Sequence, residues 1–113
     1  MAYGTQVTFE PVREVAFGGI SGTYAMVGAV TTDHSRIVTF SNGTNADVYV
    51  SFDGVTNHLR LASNSFKLFD FCSDKVSDDG FFLRQGTQIW VKQVSAPTSG
   101  TFWVELAYAT GGV

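Results

Sequence analysis

The chain has 113 residues, 44% of them hydrophobic and 14% aromatic, which suits one folded domain with its own core and excludes a disordered chain. Its 7 Lys and Arg against 10 Asp and Glu give a net charge of −3, and the cations are scattered. That excludes a nucleic-acid binder, which needs clustered positive charge to release phosphate counterions.

Residues 1–11 carry scattered apolar side chains, Tyr3, Val7 and Phe9, and close on Pro11. They read as an extended N-terminal arm or edge strand, set before a single domain over residues 12–113. Such an arm pairs with its own sheet or reaches a neighbouring subunit, and its removal is expected to leave the domain folded. Residues 12–17 suit a short strand closed by Gly18-Gly19. Residues 24–30 suit a buried strand, in which Gly28 marks a bulge or a close backbone approach. Residues 31–36 are polar and read as a loop. They hold Asp33-His34-Ser35, the residue types of a hydrolytic relay, but adjacent side chains on an extended chain point apart and cannot converge.

Residues 37–41 carry β-branched side chains and form the next strand, followed by a dense turn at Asn42, Gly43, Thr44 and Asn45. In residues 46–52, Val48, Val50 and Phe52 face one way and Asp47, Tyr49 and Ser51 the other, the period of a strand with unlike faces. Asp53-Gly54 then favours a tight turn. Residues 56–61 alternate more weakly, with His58 and Arg60 on a solvated face, and residues 63–65 turn again. Residues 65–71 are apolar on both faces, Phe66 and Leu68 on one, Phe69 and Phe71 on the other. Such a strand is covered on both sides or turns its outer face to a partner. Residues 73–80 form the most polar stretch. Asp74, Asp78 and Asp79 lack the alternate spacing of a calcium loop.

After a short strand at residues 81–84 comes the stretch with the clearest strand chemistry, residues 86–108. Ile89 and Val91 alternate with Trp90 and Lys92, and Phe102, Val104, Leu106 and Tyr108 alternate with Thr101, Trp103, Glu105 and Ala107. Pro97 and Gly100 lie between the runs, so the stretch reads as a β-hairpin with Trp90 and Trp103 as a cross-strand pair. No segment shows a helical stripe with caps. The pattern defines an all-β fold, an antiparallel β-sandwich with jelly-roll-like topology and about eight to ten short strands.

The residues argue for no chemistry. The acids Asp47, Asp53, Asp70 and Glu105 form no catalytic constellation, and no metal-ligand or cofactor motif is present. The single Cys72 rules out an intramolecular disulfide and a thiolate zinc site; it sits in an apolar run and reads as a buried small hydrophobe. Residues 1–10 lack the basic start and apolar block of a secretory signal, and no apolar run approaches the roughly 20 residues of a membrane span. Both point to a protein made in the cytoplasm that does not enter a membrane. Trp90, Trp103, Tyr49 and Tyr108 are candidates for stacking on a glycan. The charged fraction of 15% is low against roughly 25% in ordinary domains, and a sparsely charged exterior suits a structural protein covered by a permanent partner.

Two blocks carry a resemblance. The run SNGTNADVYVSFDG, residues 41–54, and the run GTQIWVKQVSAPTSGTFWVELAY, residues 86–108, resemble blocks found in small virion proteins of tailed bacteriophages. They bracket a more variable stretch, residues 55–85. In size, acidity and all-β character the chain is most similar to capsid decoration, or cement, proteins with a jelly-roll-like fold. The resemblance implies a non-enzymatic homo-oligomer on the outer capsid surface that ties neighbouring capsomers together, with the major capsid protein or another virion protein as partner. It also admits head-fibre, tail-adaptor and tail-fibre attachment roles. Interface positions expected on this reading are Tyr3, Val7, Phe9, Phe69 and Phe71.

Overall fold

The computed structural model describes residues 6–70 and 83–110. Within them the chain forms β1 (Gln6–Phe9), β2 (Arg13–Ala16), β3 (Ala25–Met26), β4 (Ser35–Asn42), β5 (Val48–Ser51), β6 (Leu59–Leu61), β7 (Ser65–Asp70), β8 (Trp90–Gln93) and β9 (Thr101–Thr110). A short 3-10 turn follows β2 at Phe17–Gly19, and no α-helix occurs among the described residues. The strands build two antiparallel sheets packed as a sandwich, the all-β class that period-two alternation requires.

β9 organises the larger sheet. Along one edge it pairs with β1, from Gln6↔Thr110 to Phe9↔Ala107, and then with β2, from Arg13↔Val104 to Ala16↔Thr101. Along its other edge it pairs with β4, and β4 pairs with β7. The smaller sheet runs β3-β8-β5-β6. Burial follows the alternation. Phe102, Val104 and Leu106 of β9 and Val38 and Phe40 of β4 face inward, and Val48, Val50, Leu61 and Val91 meet them from the smaller sheet. Phe40 stands edge-on to Phe52 and Phe69, with ring centroids 5.9 and 5.8 Å apart.

The expected hairpin over residues 86–108 does not form. β8 belongs to the smaller sheet and β9 to the larger, so Trp90 pairs with Ser51 and Met26, and Trp103 with Ser41 and Glu14. The two tryptophans are not cross-strand neighbours. Alternation tells which side of a strand is apolar, and that side is buried equally well beside a neighbour in one sheet or opposite it in the other. The chain takes the second solution through residues 94–100, where Gly100 adopts φ +96.

Residues 24–30 are also less regular than expected: only Ala25 and Met26 are strand. The backbone then wraps around a buried ion pair. Arg13 donates from Nη2 to Glu10 Oε1 at 2.7 Å, and the side chains are 8% and 1% exposed. Arg13 also donates to the carbonyls of Ala29, Val30 and Pro11, while Glu10 accepts from the backbone N–H of Thr32 and Asp33. Gly28 sits against this pair at φ +68, where a Cβ would lie 2.8 Å from Arg13 Cγ. The close approach expected at Gly28 is therefore real. The arm holds Glu10, the counter-charge of Arg13, and its β1 pairs along one edge of β9.

A second polar hub is Asn42, 1% exposed. Its amide faces the carbonyls of Ala46, Leu61 and Ala62, and its Oδ1 accepts from the Thr44 backbone and hydroxyl. The predicted turn at residues 42–45 is thus a buried polar knot that ties β4 to β5 and β6.

Candidate docking face

Pairing register decides which side chains leave the larger sheet. Val38, Phe40, Val104 and Leu106 point to the core, so their sequence neighbours point out. One row on the outer side runs Phe9, Ala107, Ile37, Asp70 across four strands, with Ala107 itself covered at 4% exposure. The next runs Glu105, Thr39, Leu68, and the third Glu14, Trp103, Ser41, Phe66. Phe9 is 73% exposed, Phe66 67%, Val7 61% and Leu68 56%. Isolated exposed hydrophobes need no explanation, but a group of large ones on one sheet face marks an interaction surface.

The structure separates the sequence candidates. Val7 and Phe9 of β1 lie on this face together with Phe66 and Leu68 of β7. Phe69 takes the opposite side of β7, because it pairs with the inward Val38; it lines an apolar recess between the sheets with Phe40, Phe52, Leu59 and Leu83. Tyr3, Phe71, Cys72, Asp74, Asp78 and Asp79 lie outside the described residues. A shallow depression in the face is lined by Phe9, Ile37, Thr39, Glu105 and Ala107. A second, beside Trp103 and Phe66, is lined by Thr39, Ser41 and Asn64.

The outer face of the smaller sheet has different chemistry. Tyr49 pairs in register with Lys92 and Arg60. Lys92 Nζ lies 4.8 Å from the Tyr24 ring centroid and 5.8 Å from that of Tyr49, and Arg60 covers Tyr49 at 5.8 Å. Arg60 continues to Asp47 at 2.9 Å, which with the Ser63 backbone N–H holds the Asp47 carboxyl below its ordinary range. Tyr24 bonds Asn57 through its hydroxyl, and burial, then Asp53 and Tyr49, push that hydroxyl upward in pKa. The result is a self-satisfied ladder of cations and rings across the strands. The four aromatics considered for glycan stacking do not share a platform: Tyr49 and Trp90 face out here, Trp103 faces out from the other sheet, and Tyr108 pairs with Thr8 and Ser35.

The acids do not converge either. Asp53 accepts from the Val55 and Thr56 backbone N–H groups, both at 2.8 Å, and from Ser51 Oγ. Those two backbone donors, Thr56 first, hold its carboxyl far below the ordinary value of 3.8. Its contribution to the turn is complete above that ordinary value and is lost only as pH falls through the lower folded one. The Asp53 carboxyl-carbon shift, followed by NMR, is expected to titrate with a midpoint clearly below 3.8; an ordinary midpoint would mean that the turn is open in solution. In the Asp33-His34-Ser35 run, Ser35 Oγ is fully buried while His34 Nδ1 accepts from the Gln85 backbone N–H, so these groups point apart. Among the described residues no three of His, Cys, Asp and Glu are placed to hold a metal ion, and no helix is long and apolar enough to cross a membrane.

No family model matches the chain, and no curated protein matches it. Solved structures do. A chain in the cyanophage Pam1 capsid asymmetric unit superposes with a TM-score of 0.57 at 17% identity, over 97% of this chain and 89% of that one. At that identity the likeness establishes a shared fold. A chain of disulfide-linked pili from Bacillus endospore appendages is looser, with a TM-score of 0.45 at 14% identity over 98% and 95% of the two chains.

Proposed function

We propose that the chain is a structural protein of a tailed-bacteriophage virion, a decoration or cement protein that seats the outer face of its five-stranded sheet on the capsid and bridges capsomers. The observation that carries this reading is the apolar face itself, with Val7, Phe9, Phe66 and Leu68 standing more than half exposed on one surface. Covering those side chains releases free energy in proportion to the apolar area removed from water. The shared fold with a chain of a cyanophage capsid asymmetric unit supports a virion role, as does the resemblance of residues 41–54 and 86–108 to small phage virion proteins. The role is mechanical rather than catalytic. Each contact adds to the cost of separating capsid subunits, and many copies acting together need only modest individual affinity.

The test is to purify particles of the virus that carries this gene and count the chain. Copy numbers matching the shell subunits support decoration, numbers matching a tail vertex move the protein to an adaptor or fibre-attachment role, and absence from the particle overturns the proposal. The double variant Phe9→Ser, Leu68→Ser is expected to stay folded, since surface changes usually cost within about 0.5 kcal/mol each. It should nevertheless fail to load onto particles. Loading at the parent's concentration would show that the seat lies elsewhere.

A further inference from the structure

The apolar face has an acid at its centre. Glu105 is exposed in the middle row of the sheet, with Phe9, Ala107 and Ile37 in the row on one side and Trp103 and Phe66 on the other. It lines the depression with Phe9, Ile37 and Thr39, and its carboxylate makes no ion pair among the described residues. The depression holds about 160 Å³, roughly ten times the least volume that accepts a water, so one side chain can enter it. The outward register positions described carry Glu14, Glu105 and Asp70 and no Lys, Arg or His; the cations on the same strands are Arg36, at the bulge of β4, and Lys67 of the edge strand β7, which is exposed but pairs with the inward Phe40 and so leaves from the opposite side of the strand.

The geometry points to a partner surface that brings a single cation, Lys or Arg, ringed by apolar side chains, with Glu105 as its receptor and as the residue that bars a second copy of this chain from the same seat. This deepens the docking role proposed above and rests on it. Closing an apolar surface over Glu105 strips water from a carboxylate, which is unfavourable unless an opposite charge arrives with it. A lysine or arginine entering the depression supplies that charge and a charge-assisted hydrogen bond. A twofold self-pairing through this face does the reverse. Residues near the axis of such a contact meet their own copies, so Glu105 would be driven against Glu105 with no cation at the described outward register positions to relieve it. A face this apolar needs such a guard, and the acid that repels a copy selects a basic partner.

Two measurements on the purified chain test this. In sedimentation velocity the parent is expected to stay monomeric through its outer face, while Glu105→Gln gains concentration-dependent dimer at a dissociation constant at least about tenfold lower. Adding Phe9→Ser and Leu68→Ser to Glu105→Gln is expected to abolish that dimer. The inference is overturned if the parent already dimerises through the face, or if Glu105→Gln associates no more than the parent. In the second measurement, hexylammonium and hexyl sulfate are titrated separately while the backbone amides of Thr39, Glu105 and Ala107 are followed by NMR. The cationic amphiphile is expected to bind about tenfold more tightly, and Glu105→Gln should erase the preference. Equal affinities, or a preference that survives the substitution, overturn the cation selectivity. These readouts need no virus. The selectivity thus stands or falls apart from the copy count in particles, which tests the virion role alone.

Discussion

Arg13→Met is expected to cost about 3–5 kcal/mol, the usual penalty for stranding one charge of a buried pair. The side chain of Glu10 is 1% exposed, and without Arg13 its partners among the described residues are the N–H donors of Thr32 and Asp33. The carbonyls of Ala29 and Val30 lose their donor in the same step. For a domain of this size thermal unfolding should register a fall in Tm of roughly 12–30 °C. Glu10→Gln keeps the shape and leaves Arg13 its three backbone acceptors, so its cost is smaller, about 1–3 kcal/mol. The double variant is expected to lose less than the sum by about 0.5–3 kcal/mol, because the second change removes the charge that the first one stranded. If Arg13→Met melts beside the parent, water reaches the pair in solution and the clamp is not what holds residues 28–33.

Gly100→Ala is the second severe change. Two penalties coincide there. Gly100 sits at φ +96, a conformation costing other residues about 1–3 kcal/mol. An added Cβ would also lie 2.1 Å from the Gly43 carbonyl oxygen and 2.7 Å from Thr44 Cα, both backbone, so no side-chain rotation relieves it. The loop before β9 and the loop after β4 must part, which threatens the bond from the Gly43 N–H to the Thr101 carbonyl at 2.9 Å. Adding an overpacking cost of about 1–3 kcal/mol gives a total of about 2–6 kcal/mol. Gly86→Ala provides the control. Gly86 has φ +84 but nothing within 4 Å of its would-be Cβ, so it bears the strain alone. Equal losses of Tm for the two variants would show that the loops do not touch at Gly100.

Much of the architecture was legible in the chain. The alternation of Phe102, Val104 and Leu106 marks the inward side of β9, and that of Val48 and Val50 marks the inward side of β5, because burial needs only one face of a pleated strand. Gly28 and Gly100 were readable as places where the backbone does something only glycine allows. The partner of each strand was not readable. Residues 86–108 satisfy the chemistry of a hairpin and of a sheet-to-sheet crossing alike, and the choice depends on strands far away in the chain. Which apolar side chains the larger sheet turns outward was half visible for the same reason. Residues 65–70 are apolar on both sides, and only the pairing of Val38 with Phe69 shows that Phe66 and Leu68 are the ones turned outward. The Glu10–Arg13 clamp left no readable signal, since acid and base three apart in an irregular stretch occur everywhere on protein surfaces.

One consequence follows from β9 standing between β1, β2 and β4. All three are synthesised before it, and until Thr101–Thr110 clears the ribosome they lack the neighbour they share. β4 and β7 can pair beforehand, but the larger sheet is completed only late, when β9 joins that pair to β1 and β2. A nascent chain stalled short of Thr101 offers Val38 and Phe40 to chaperones and proteases, and a stop codon placed there leaves β1 and β2 without a partner and only the β4–β7 pair of the larger sheet.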